Sequence, residues 1–182
     1  MIVGIIIGVI VLILIWFIAT YNSLVVLRNK KDNEWSQIDV QLKRRADLIP
    51  NLVETVKGYA KHESETLEDV VKARNTYVTA TTENDKVKAS NELEGALTKL
   101  FALAESYPDL KANTNFISLQ NDLKETEDKI SYARQFYNDA VLTYNNKVTM
   151  VPSNIVASIA NFKTGVFFEA LEKDKEAPQV KF

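Results

Sequence analysis

The sequence predicts an all-α protein: an N-terminal transmembrane helix that continues into a long-helix, antiparallel up-and-down bundle of three to four helices. Three observations carry this prediction. The first charged residue is Arg28. Apolar residues then recur every seven positions over long stretches, as in the seam of a coiled-coil-like helix. The chain has 5 Gly and 4 Pro, too few turn formers for many short strands.

The N-terminal segment has the length and composition of a membrane anchor. From Met1 to Leu27 there is no Asp, Glu, Lys or Arg, and a bilayer core of roughly 30 Å needs about 20 apolar residues. A cleaved signal peptide would show basic residues before the apolar run and a small-residue cleavage site, and neither is evident. A retained anchor over residues 1–21 is therefore favoured. Trp16, Phe17 and Tyr21 suit a membrane interface.

Basic residues follow the anchor and predict its orientation. Arg28, Lys30 and Lys31 come directly after the apolar run, whereas only the terminal amine precedes it. The positive-inside rule therefore predicts a short N-terminus outside and a C-terminal body in the cytoplasm. The same three side chains are candidates for contact with anionic lipid headgroups. The alternative is that they only fix the topology.

The first soluble helix is predicted from Asn22 to Lys61. Pro50 interrupts it, and a proline inside a helix predicts a kink there. Arg45 falls on the second seven-residue series, at a position where an apolar residue is expected. The main series consists of Trp35, Leu42, Ile49 and Val56.

A second helix is predicted after Lys61, with Ser64 or Thr66 as its cap. The polar stretch 81–85 is either a loop or only a solvated turn of one longer helix, so the helix count stays open. Tyr107-Pro108 is a clear break, because the residue before a proline is pushed out of the helical region.

The last long helix is predicted over 114–148 and has the strongest periodicity of the soluble part. Ser153 is expected to cap a short helix, Asn154 to Ala160. The bundle domain would extend over 22–168, and 169–182 would be a C-terminal tail. The seven-residue series consists of Phe116, Leu123, Ile130, Tyr137, Tyr144 and Val151.

The sequence offers few residues for chemistry. It has no cysteine, and its one histidine, His62, lacks the second histidine of a zinc-protease motif because Thr occupies position 66. No glycine-rich loop is present to hold phosphate, and a net charge of −2 does not suggest binding of nucleic acid. We therefore expect no catalytic, cofactor-binding or metal-binding residue, no small-molecule substrate and no enzymatic activity.

Two irregular seam positions suggest a buried ion pair. Arg45 on the first soluble helix and Thr126 on the last are polar where apolar residues are expected, and Glu127 adjoins the second. A buried charge needs a partner, so we predict a contact between Arg45 and Glu127 that sets the bundle register. The alternative places Arg45 at the rim with its stem buried. Candidate packing or assembly residues are Trp35, Ile49, Phe116, Tyr137 and Tyr144.

Six segments carry a family resemblance: Tyr21 to Asn29, Ile38 to Ala60, Tyr107 to Asn113, Ala133 to Asn138, Pro152 to Asn154 and Ala177 to Phe182. They closely resemble the LemA family of bacterial membrane proteins, and only 81–85 departs from its usual pattern. The resemblance implies an anchored, all-helical cytoplasmic body in the bacterial cytoplasmic membrane, with no established enzymatic activity. It also implies kinship with proteins involved in building magnetosome membranes, and an association in gene context with membrane zinc proteases.

These observations lead to two functional expectations. The first is a membrane scaffold or organiser that self-assembles as a homo-oligomer, because long helices with two apolar seams can carry more apolar surface than one bundle buries. The second is an adaptor for a membrane protein partner, such as a membrane protease. In both, the lipid bilayer is a partner.

Overall fold

The structure, a computed structural model, describes residues 1–60 and 62–168, and it confirms the all-α class. The predicted tail, 169–182, lies outside the described residues. Within the described part there are six helices and no strand. The helices are α1 (Ile2–Lys57), α2 (Ser64–Thr79), α3 (Glu83–Ala104), α4 (Pro108–Lys111), α5 (Thr114–Thr149) and α6 (Ser153–Ile159).

The described residues divide into two compact units. The first consists of residues 1–37 and 133–167. The second consists of Ile38–Tyr132 together with Phe168. Helices α1 and α5 each contribute to both units.

The second unit is an up-and-down bundle of four long helices, which lies within the predicted range of three to four. It consists of the C-terminal part of α1, then α2, α3 and the N-terminal part of α5. Arg74 of α2 donates a hydrogen bond from Nε to the carbonyl oxygen of Ala46 at 3.2 Å, so α2 runs back along α1. At the far end of α3, the rings of Phe101 and Phe116 lie 6.3 Å apart.

The seven-residue series predicts the core of this bundle. Leu42, Ile49 and Val56 of α1 are buried, and so are Leu123 and Ile130 of α5. Removing such side chains from water is worth roughly 1.5–3 kcal/mol each. The core adds side chains of the intervening helices, among them Val70, Leu93, Leu97, Leu100 and Leu110.

The first unit pairs the N-terminal part of α1 with the C-terminal part of α5. The rings of Trp35 and Tyr137 lie 5.4 Å apart. Further toward the N-terminus of α1, fully buried Leu24 packs against Val156 and Ala157 of α6. The two helices are therefore antiparallel, and α6 lies beside the anchor.

The end of α6 turns the chain back onto α1. Asn161 has a φ of 55°, in the left-handed region that Asn tolerates better than most residues. Its N–H donates to the carbonyl oxygen of Ser158, and the N–H of Phe162 donates to that of Ala157, which is a Schellman cap. The ring of Phe162 then lies 5.7 Å from that of Tyr21.

Several sequence-based boundaries need correction. Helix α1 ends at Lys57 rather than Lys61, directly before Gly58, a residue that favours helix ends. The cap of α2 is Glu63, without a side-chain hydrogen bond, so neither Ser64 nor Thr66 caps it. Between α2 and α3 the chain does leave the helix, and Thr82 accepts a hydrogen bond from the N–H of Asp85.

Two expectations at the end of α5 also fail. Pro152 is the residue before α6, and the Ser153 hydroxyl instead lies 2.7 Å from the carbonyl oxygen of Lys147. Ser153 thus closes the turn after α5 rather than capping α6. Val151, the last member of the seven-residue series, is 79% exposed because α5 ends at Thr149.

Candidate functional site

The N-terminal part of α1 is the most distinctive surface of the molecule. It is long and apolar enough to cross a membrane, and none of its most apolar window is covered by other described residues. Ile5, Ile10 and Ile15 are each at least half exposed. An uncovered apolar surface of this length fits a single-pass membrane anchor.

The three basic residues after the anchor have different environments. Lys30 is exposed, and the Arg28 guanidinium lies 5.3 Å from the centre of the Phe162 ring, a cation–π contact. Lys31 is only 8% exposed, and its ammonium lies 3.0 Å from Asp32. Arg28 and Lys30 are thus better placed for a headgroup contact than Lys31.

Arg45 and Glu127 are brought together in the second unit. The guanidinium of Arg45 contacts the carboxylate of Glu127, and the Arg45 side chain is 3% exposed whereas that of Glu127 is 37% exposed. The pair lines a cleft of about 500 Å³ between α3 and α5. Its role in the register remains a prediction.

A more exposed group of charges lies at nearby positions of α1 and α5. Arg44 lies 3.8 Å from Glu125 and 4.0 Å from Asp122, and Lys129 lies 2.5 Å from Glu125. The Lys129 ammonium, aided by Arg44, holds the pKa of Glu125 below its usual value. Buried Thr126 donates a hydrogen bond to the carbonyl oxygen of Asp122 at 2.7 Å, which satisfies its hydroxyl within α5.

Asp39 of α1 contacts two other helices of the second unit. Lys86 of α3 lies 2.6 Å from its carboxylate, and Tyr77 of α2 donates a hydrogen bond to the same oxygen at 3.2 Å. Burial, helped by the charge of Asp39, raises the pKa of the Tyr77 hydroxyl well above its ordinary value of 10. These are contacts that position helices.

A second cleft, of about 750 Å³, separates the C-terminal part of α1 from α2. Its wall is mostly apolar and includes Val53, Leu67 and Val71. Within 1–60 and 62–168, no group of three His, Cys, Asp or Glu side chains converges to hold a metal ion. His62 is exposed in the connection between α1 and α2.

The candidate packing or assembly residues lie mainly inside their own units. Ile49, Phe116, Tyr137 and Tyr144 are buried, and Trp35 is partly buried. These five side chains pack within the chain, so a surface for assembly would have to consist of other residues. The large apolar residues that α5 exposes are Ile117 at 42%, Tyr132 at 67%, Phe136 at 63% and Leu142 at 50%.

Hydrogen bonds hold residues 163–166, which follow α6, against α5. The sequence did not predict them. The hydroxyls of Tyr137 and Tyr144 donate to the carbonyl oxygens of Val166 and Lys163, each at 2.8 Å. Asn145 accepts from the N–H of Gly165 at 2.7 Å and donates to its carbonyl oxygen at 3.0 Å. A polar Asn directly after the buried series is the available sequence signal.

The sequence model of the LemA family matches residues 34–182. The chain belongs to the LemA family. This confirms the resemblance drawn from its motifs, and the matched region includes all of the four-helix bundle.

Individual relatives of this LemA-family chain share about a quarter of its residues. It is 27% identical over 189 aligned positions to magnetosome protein MamQ 2 of Paramagnetospirillum magneticum, covering 87% of this chain and 70% of the relative. It is 26% identical over 163 positions to protein LemA of Metamycoplasma hominis, covering 87% and 73%. It is 25% identical over 188 positions to magnetosome protein MamQ of Magnetospirillum gryphiswaldense, covering 87% and 69%.

Proposed function

We propose that this protein is a non-enzymatic, membrane-anchored scaffold that self-assembles and organises the bacterial cytoplasmic membrane. The observation that carries the proposal is the apolar surface that α5 leaves exposed, above all Phe136 and Tyr132. Exposed apolar surface of this kind favours association.

The anchor strengthens this effect. Chains confined to one membrane encounter each other at a raised effective concentration, so weak contacts between bodies suffice to hold an assembly. The relatives named magnetosome proteins support a membrane-associated role. The basic residues Arg28 and Lys30 support a body on the cytoplasmic side.

The test is the mass of the full-length protein in detergent over a wide range of concentration. We expect a defined assembly for the wild type and for Gln135→Ser, which changes an exposed polar side chain. We expect a smaller species for Phe136→Ser combined with Tyr132→Ser. A strictly monomeric wild type at every concentration would contradict self-assembly.

A second candidate is an adaptor for a membrane protein partner, such as a membrane protease. The apolar cleft between α1 and α2 favours it, because Val71 is 39% exposed at its wall. Cross-linking in native membranes distinguishes the two functions. An adaptor gives one partner at a fixed ratio, whereas a scaffold gives products containing this chain alone.

A further inference from the structure

The stretch from the end of α5 to the end of α6 carries several exposed apolar side chains. No charged residue occurs between Lys147 and Lys163. Within this stretch Ile155 and Ile159 are 54% and 69% exposed, and they lie one turn apart on the same face of α6. Met150 and Val151 extend the apolar surface, at 61% and 79% exposed. Such a cluster is unusual for a face in contact with water.

The contacts of α6 place it beside the membrane anchor. Val156 and Ala157 are buried against Leu24, and Phe17 of α1 packs on the same cluster. Phe17 belongs to the uncharged run that extends from Met1 to Leu27. About 20 residues of that run suffice to cross the hydrocarbon core, so the packing of α6 begins at the level of the membrane boundary.

The residue after the cap of α6, Phe162, contacts α1 nearer to its first charged residue. Phe162 lies beside Tyr21 and under the guanidinium of Arg28, with ring and cation 5.3 Å apart. Arg28 is the first charged residue of the chain, and its charge belongs among headgroups or in water. Helix α6 therefore lies between an apolar level, marked by Phe17, and a charged level, marked by Arg28.

We propose that α6 and the turn before it form an interfacial membrane element. The exposed side chains of Met150, Val151, Ile155 and Ile159 enter the boundary between lipid headgroups and acyl chains. An apolar edge that inserts a few ångströms into this boundary holds a segment in the membrane plane. The body thus contacts the bilayer at two places, the anchor and α6. This inference rests on the membrane anchoring in the proposed function, but not on self-assembly.

The absence of cysteine from the whole sequence makes a direct test available. Full-length Ile155→Cys and Ile159→Cys are labelled with an environment-sensitive fluorophore. They are reconstituted in vesicles of phosphatidylcholine and phosphatidylglycerol whose acyl chains carry nitroxide quenchers. Ile10→Cys within the anchor is the positive control. Asp139→Cys, an exposed position roughly 17 Å before Met150 along α5, is the negative control.

We expect the labels at both α6 positions to be quenched several-fold more strongly than the label at Asp139, and nearly as strongly as that at Ile10. Quenching at Ile10 without quenching on α6 overturns the inference and leaves the anchor intact. No quenching at Ile10 overturns the anchor as well, and with it the proposed function. A blue-shifted α6 label that lipid nitroxides do not quench indicates a second copy on this face, and also overturns the inference.

Labelling must not disturb the packing of α6. Ser158→Cys, which changes an exposed polar side chain of the same helix, gives a milder variant. It is expected to be quenched more than the Asp139 variant. A variant is compared only if its circular dichroism spectrum shows the helical content of the wild type. An unquenched label in a folded Ser158 variant counts against the inference.

Discussion

The guanidinium of Arg45 meets the carboxylate of Glu127 inside a four-helix bundle whose neighbouring seam residues are apolar. The arginine is buried, whereas the glutamate reaches a cleft. Loss of the glutamate would leave a buried cation without its carboxylate, and loss of the arginine would leave a carboxylate that water can reach. The two partners are therefore not equivalent.

Neutralising Glu127 is expected to destabilise the bundle. Glu127→Gln keeps the volume and removes the charge, and we expect a loss of about 1–3 kcal/mol. Thermal unfolding of the full-length protein in detergent, followed by circular dichroism, measures it. Arg45→Met combined with Glu127→Leu should recover part of the loss, because apolar side chains can replace a buried pair.

A neighbouring carboxylate provides the control for this measurement. Glu125→Gln removes a charge whose partners, Arg44 and Lys129, are exposed, and such pairs contribute little. We expect a clearly smaller change than for Glu127→Gln. If Arg45→Met alone leaves the protein equally or more stable with the fold intact, the pair does not set the register.

The left-handed backbone of Asn161, after α6, leads to a second prediction. Asn161→Val places a β-branched side chain at a φ of 55°, which should cost roughly 1–2 kcal/mol. Asn161→Gly accepts this conformation and should stay within about 0.5 kcal/mol of the wild type. The midpoints of thermal unfolding compare the two. Equal loss in both would mean that the Asn side chain, rather than its backbone, stabilises the cap.

Phe116 and Phe136 of α5 differ in burial, so their alanine variants should differ in the free energy of unfolding. Phe116 is 3% exposed, so Phe116→Ala is expected to cost about 3–5 kcal/mol through the cavity it leaves. Phe136 is 63% exposed, and Phe136→Ala should remain within about 0.5 kcal/mol. Denaturant unfolding at low protein concentration measures both. A large loss at Phe136 under these conditions would assign it to internal packing.

Alkaline pH should weaken the contact at Asp39. Because the pKa of Tyr77 is raised on folding, the folded protein retains the phenol proton longer than the unfolded chain. The stabilisation is fully present below about pH 10 and is lost as the pH rises toward the raised value. Tyr77→Phe should therefore flatten the decline of stability above about pH 10. Tyr132→Phe, at an exposed phenol, should keep the wild-type profile.

The seven-residue series predicted the bundle core because burial follows helical periodicity. Ile49, Val56 and Ile130 are all buried as that pattern requires. The Arg45–Glu127 contact was also predicted, because a buried arginine needs a partner. The Thr126 hydroxyl, at the other irregular position, is instead satisfied within α5. The series failed at Val151 because α5 ends before it.

Helix ends were harder to predict because several residues compete for each cap. Ser64 and Ser153 are both good capping residues, yet neither caps a helix here. The hydroxyl of Ser153 has closer carbonyl oxygens in the turn after α5. The position of α6 beside the anchor depends on contacts between residues more than a hundred positions apart, which local patterns do not contain.

The first packed layer of the body lies on the anchor helix itself, at Leu24, with no linker between the apolar run and the folded chain. A protease that sheds membrane proteins needs an extended stretch next to the bilayer, and α1 offers none there. The body is therefore expected to resist release as an intact fragment. Exchange of the anchor, residues 1–21, for an unrelated transmembrane helix would remove Phe17 and Tyr21, and with them part of the surface on which α6 and Phe162 pack.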